Sequence, residues 1–190
     1  LETVYRRLVE HLGTADTASG AFRGVIDGWF YALEQDVLAD ASVDPDDAAE
    51  LLVRTDALME ARLSTISKTA PAFSAVLRTY RRALAAGDGM LADGLISWLS
   101  GQPNVAASVK RAAGVKGDLD HFGATNFLVG LLTILRDSGF PGLVMVLDEV
   151  ETLQRMRTDT REKGLNALRQ WIDEIDAGRY PGRLFRVLQC

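Results

Sequence analysis

The stretch Leu143-Val144-Met145-Val146-Leu147-Asp148-Glu149 decides how the chain is read. Five consecutive apolar residues, two of them β-branched, lie between Pro141-Gly142 and an acidic pair. A run this short, bounded by turn residues, predicts a strand buried on both faces, as in a parallel sheet covered by helices. Before it, the apolar pattern predicts a long helix from about Asp120 to Ser138, with Gly139 in the terminator position and Pro141 two residues on. The longest apolar stretch, Phe127 to Leu135, is interrupted by Gly130 and Thr133 and flanked by Arg136 and Asp137. It falls short of the roughly 20 residues that span a bilayer and reads as a buried helix. After the strand, Leu165, Leu168, Ile172 and Ile175 mark one face of an amphipathic helix that Gly178 and Pro181-Gly182 end. Leu184 to Leu188 then starts a second strand.

Everything upstream of Asp120 reads as helix after helix. Leu1, Val4, Tyr5, Leu8 and Leu12 share one helical face, and Gly13 to Asp16 closes it. Phe22, Ile26, Trp29, Phe30, Leu33 and Val37 form a second face. Asp44 is expected to cap a third helix, with Pro45 at its first position and Asp46 and Asp47 complementing the dipole, running to about Ile66. A fourth helix is expected from Pro71 to Ala86 and a fifth around Leu91 to Leu99. A short sixth is expected to be capped by Asn104 and to stop at Gly114. No internal repeat or low-complexity segment is present. The expected fold class is mainly α with a small β portion: a helical region over residues 1–138, then a strand, helix and second strand over 139–190.

The 190 residues carry a formal net charge of −5, with 47% apolar and 25% charged residues, an ordinary globular balance. A pI near 5.1 argues against a surface coated in basic charge for nucleic acid, while leaving room for a local patch. One cysteine, Cys190, with His11 and His121, builds neither an internal disulfide nor a zinc constellation, so a reducing cytoplasm is the expected compartment. No membrane partner is expected. The chain begins inside a helical pattern without methionine, and reads as a piece of a larger protein.

A buried strand ending in Asp at the edge of a parallel sheet is the arrangement of the Walker B motif in P-loop ATPases, since ligands sit outside the carboxyl ends of such strands. Asp148 would assist Mg²⁺, through a water, and the ion would neutralise charge on the β- and γ-phosphates of ATP. Glu149, beside it, would orient and polarise the attacking water. The phosphate-binding half is missing: no Gly-Lys pair occurs, so no Gly-x-x-x-x-Gly-Lys-Ser/Thr loop is present, and it is expected upstream of Leu1. The bland alternative is a core strand whose acidic pair merely caps a turn.

The run Leu147-Asp148-Glu149-Val150-Glu151-Thr152-Leu153-Gln154-Arg155, with Arg161-Glu162-Lys163, Asn166 to Gln170 and Tyr180-Pro181-Gly182, resembles the BREX-type ATP-binding proteins, bacterial P-loop ATPases of phage-defence loci. Trp98 to Gly101 and Lys110 to Val115 fit as well, and the resemblance covers the last half closely and the first half loosely. It implies a partial AAA-like α/β core with a large helical insertion between Walker A and Walker B strands, and ATP and Mg²⁺ as cofactors. It also implies a second strand ending in a polar sensor residue, but Arg183 to Cys190 does not match that pattern, so no sensor is assigned.

Arg155, Arg157 and Arg161 follow the strand, and a guanidinium suits a neighbour's γ-phosphate or a nucleic-acid phosphate. A solvated helix start beside Asp159 and Glu162 is the simpler reading. Lys110, Arg111 and Lys116 are read as solvated surface, and Trp29, Phe30, Tyr31 and Trp98 as core. The expected function is part of an ATP-hydrolysing protein that drives conformational change in a defence or DNA-handling assembly, with other subunits or self-association as partners. A non-catalytic helical interaction module is the competing reading, and a DNA-binding adaptor a weaker third.

Overall fold

The apolar repeats resolve into helices whose inner faces share one core, and a two-stranded sheet is attached where the last of these helices ends. The computed structural model describes residues 2–40, 43–147, 157–178, 180 and 183–188. Seven helices come first: α1 (Glu2–Glu10), α2 (Phe22–Leu38), α3 (Ala48–Thr69), α4 (Pro71–Ala85), α5 (Gly89–Leu99), α6 (Ala107–Ala112) and α7 (His121–Asp137). The strand β1 (Gly142–Leu147), helix α8 (Thr158–Asp176) and strand β2 (Arg183–Leu188) complete the order. The chain is mainly α with a small β portion. No helix among the described residues is long and apolar enough to cross a membrane.

Two helix starts differ from expectation. Asp47, not Asp44, caps α3, its carboxylate accepting from the N–H groups of Ala49 (3.1 Å) and Glu50 (3.0 Å). Asp44 instead accepts from Asp46 N–H at 2.9 Å, folding Pro45-Asp46 into a turn ahead of the helix. With several acidic residues in a row, only the one directly preceding helical backbone reaches two first-turn donors. Asn104 does not cap α6 either: it takes φ +62, a left-handed turn position that Asn tolerates, and α6 starts three residues later at Ala107.

Helix α7 is the centre of the packing and touches α1, α2, α3, α4 and β1. Phe127, Leu128, Leu131, Leu132, Ile134 and Leu135 are all buried, as the sequence predicts for this stretch. Burial stabilises by about 1.5–3 kcal/mol for each large apolar side chain, before entropy is set against it. Phe127 meets Tyr5, Phe73 and Trp98 edge-on, with ring centroids 5.9, 5.1 and 5.4 Å away. Trp29, Phe30 and Trp98 are core, but Tyr31 is 65% exposed, because one residue past Phe30 the helix has turned by about 100°.

Helix α7 hands the chain directly to β1. Gly139 takes φ +85, its N–H reaches Arg136 O at 3.1 Å, and Phe140 N–H reaches Leu135 O at 2.9 Å. This is a Schellman ending, and Pro141 then blocks further helix. β1 pairs in parallel with β2, from Gly142 beside Arg183 to Leu147 beside Leu188. Met145 is buried and Leu143 packs on the core, but Val144 is 61% and Val146 56% exposed. The strand is therefore not buried on both faces as predicted: alternate side chains point to opposite faces, and one of those faces is open among the described residues.

Two expectations follow. A Cβ at Gly130 would stand 2.8–3.1 Å from three ring atoms of Phe73, which is fully buried and cannot swing away. Gly130→Ala should therefore lower stability by about 1–3 kcal/mol in a thermal or urea melt, despite the better helix propensity of Ala. Tyr80 is fully buried, donates to Asp27 Oδ1 at 2.7 Å and accepts from Arg23 Nε at 3.2 Å. Burial first, then the hydrogen bond to Asp27, pushes its pKa up to about 12 against an opposing effect of Arg23. A raised tyrosine adds stability that is complete below its unfolded pKa near 10 and is lost as pH rises toward 12. Denaturant melts from pH 9 to 12 should fall less steeply in Tyr80→Phe; Tyr5, also raised by burial, keeps the slope from vanishing.

Candidate functional site

The candidate site is the edge of the sheet where β1 and β2 both end. Because the strands are parallel and Leu147 lies beside Leu188, their carboxyl ends share that edge. Asp148 and Glu149 follow β1 without a gap in sequence, but they lie outside the described residues, as does Arg155.

Helix α8 is the next described element after β1 in the chain. Its far end must return the chain to Arg183, which sits beside Gly142 at the opposite edge of the sheet. The 19-residue helix is roughly 28 Å long, enough to cover the length of the six-residue strands it connects in the chain. Arg157 is the exposed N-cap residue of α8, with extended backbone (φ −58, ψ 145) and no side-chain cap, and its carbonyl accepts from Arg161 N–H at 2.8 Å. Arg161 is half-buried one turn in, and Asp159 supplies an acidic group in the first turn. The helix is anchored at its other end. Trp171 is buried against Tyr5, Leu8 and Leu128, and Tyr180 donates to Glu174 Oε2 at 3.0 Å.

The opposite edge of the sheet carries a polar clamp that the sequence reading missed. Asp137, the last residue of α7, accepts from Trp29 Nε1 at 2.6 Å on one oxygen and from Arg62 Nη1 at 2.7 Å on the other. Arg62 also lies 3.6 Å from Asp36. One local signal was available: an acidic residue closing a helix opposes the dipole there. The two partners, 108 and 75 residues away in sequence, left no local trace.

Other sequence candidates sort plainly. Lys110 pairs with Asp118 at 3.1 Å, which agrees with reading that basic patch as surface. Two open grooves, of about 590 and 670 Å³, belong to the helical region; the first is lined by Trp98, Lys116, Asp118 and Phe127 among others, the second by Met90, Gly94 and Val109. Neither is lined by a residue of β1, α8 or β2. No group of three or more His, Cys, Asp or Glu among the described residues is placed to hold a metal ion.

A helical region joined through α7 to a parallel β–α–β unit, with an acidic pair directly after the first strand, defines the class: a mainly α protein carrying a small α/β element. The chain belongs to the family of BREX system ATP-binding proteins BrxC/D, whose profile matches residues 1–188, so the helical region is as much part of it as the sheet. That membership places the chain among ATP-binding proteins of phage defence. No curated protein and no solved structure matches it.

The half-covered sheet has a measurable consequence. Val144→Thr combined with Val146→Thr should leave the unfolding free energy of residues 1–190 within about 0.5 kcal/mol, since neither side chain is buried. The same pair should raise the concentration at which the chain self-associates in sedimentation runs, because an open β-branched face invites pairing.

Proposed function

We propose that this chain supplies the Walker B half of an ATP-hydrolysing centre of AAA-like type, with Asp148 on the Mg²⁺ side and Glu149 activating water. The observation that carries the reading is the position of the strand end. β1 is parallel to its neighbour, follows a rigid helix ending, and stops at Leu147, one residue before the acidic pair. In parallel sheets ligands gather at that edge. Membership of an ATP-binding family supplies the ligand.

The donor chemistry fits the group. Mg²⁺ takes oxygen ligands and keeps several waters, so one carboxylate acting through water, with phosphate oxygens completing the shell, suits it. When bound, the ion neutralises charge on the β- and γ-phosphates. Glu149 would accept a proton from the attacking water, which then adds to the γ-phosphorus as the bond to the β–γ bridging oxygen breaks, giving ADP and phosphate. Arg157 and Arg161, at the start of the helix that follows β1 in the chain, are proposed as phosphate or partner contacts, and Arg155 with them. The phosphate-cradling loop has no counterpart in these residues, so the complete centre needs a second segment. Among the described residues the sheet has an open face and no strand beyond β1 and β2, which suits it to further strands and helices. Hydrolysis would then drive a conformational change in a defence or DNA-handling assembly of several subunits.

The test is made in the full-length protein. Glu149→Gln should bind ATP as the unmodified protein does while turnover falls on the order of 10²- to 10⁴-fold. Asp148→Asn should weaken ATP binding about 10- to 100-fold with Mg²⁺ present and far less without it. Turnover that survives Glu149→Gln would remove the assignment. ATP binding that is absent altogether would leave a non-catalytic helical interaction module.

A further inference from the structure

The clamp on Asp137 sits where the helical region and the sheet join. Asp137 is the last residue of α7; five residues later β1 begins, and between them lie only the Schellman ending and Pro141. Such a joint has little freedom, because Gly139 and Phe140 are both hydrogen-bonded back into α7 and proline fixes its own φ. The direction of β1 is therefore set by the end of α7. That end is in turn held by one carboxylate, with one donor from α2 and one from α3.

The choice of residue is informative. A carboxylate closing a helix faces the negative end of the dipole, and local rules favour Lys, Arg or a neutral residue there. Asp137 violates that rule and accepts a separate short bond on each oxygen. Trp29 is 1% exposed and cannot follow a moving partner, so it gives a fixed reference. Arg62, half-exposed on α3 and shared with Asp36, is the adjustable arm. A violation of local preference that is compensated by long-range contacts is the mark of a position kept for something other than helix stability.

We propose that Asp137 is a positioning residue for the strand-end carboxylates: held by Trp29 and Arg62, it fixes β1 against the helical region and so transmits the state of one to the other. This rests on Asp148 and Glu149 forming the ATPase centre. A strand of six residues spans about 20 Å, so a small rotation at Asp137 becomes a displacement on the ångström scale at the carboxyl end of β1.

The experiment uses the full-length protein and compares Asp137→Ala, Asp137→Asn, Arg62→Ala, Arg62→Lys and Glu149→Gln. Turnover and ATP affinity are read at a temperature where circular dichroism shows each variant folded. Asp137→Ala and Arg62→Ala should lower kcat about 10- to 100-fold, as misplaced catalytic groups do, with KM for ATP within about twofold. Arg62→Lys should recover most of the loss, and Asp137→Asn, whose amide oxygen still accepts one bond, should fall between. If Asp137→Ala does not fold, Arg62→Ala decides, since its side chain is half-exposed. Unchanged kcat in the folded clamp variants, with Glu149→Gln inactive, would overturn the positioning role and leave the ATPase reading standing. Full turnover in Glu149→Gln would overturn both.

Discussion

Helix α7 has to be hidden from water on almost every side, and the rest of the chain is arranged around doing so. Six large apolar residues between Phe127 and Leu135 are buried, and α1, α2, α3, α4 and β1 pack against the helix. Gly130 lets the Phe73 ring lie against its backbone, and Phe127 gathers three aromatic rings edge-on. A helix so enclosed has little room to shift. Its two ends are correspondingly specific: Asp120 caps the start by accepting from Gly123 N–H at 2.7 Å, and the Schellman ending at Gly139 aims the chain into β1.

The sheet inherits its position from that helix and offers water what α7 does not cover. Met145 is pressed onto the core, while Val144 and Val146 lie more than half exposed. β-branched residues on an open face are costly to leave in water and are suited to being covered. The carboxyl ends of both strands share one edge, and the clamp on Asp137 lies on the helix that leads into the other end of β1.

Much of this was legible from local pattern. Helical periodicity located the longer helices among the described residues, since apolar residues every three or four positions report the buried face directly, while the short α6 was legible only from the turn signals around it. The strand at Leu143 was legible from five apolar residues between turn signals, and the Asp-Glu pair after it from chemistry alone. Where several residues competed for one role, pattern misled: Asp44 and Asp47 both suit a cap, and only backbone geometry chose Asp47. Burial of β1 on both faces was inferred from composition, which cannot say how many layers surround a strand. Tyr31 sits among core aromatics in sequence but on the far side of its helix. The Trp29–Asp137–Arg62 clamp was invisible because it joins positions 75 and 108 residues apart. For the candidate site, sequence named Asp148 and Glu149, and structure located only the edge at which their strand ends.

The central claim is that ATP is bound at the carboxyl ends of β1 and β2. A structure of the full-length protein with a non-hydrolysable ATP analogue and Mg²⁺ tests it most directly. The account predicts the β- and γ-phosphates at that edge, with the ion on the side of Asp148, Glu149 facing the γ-phosphorus, and the start of α8 nearby. A nucleotide seated in a groove of the helical region, or remote from the ends of both strands, would contradict it.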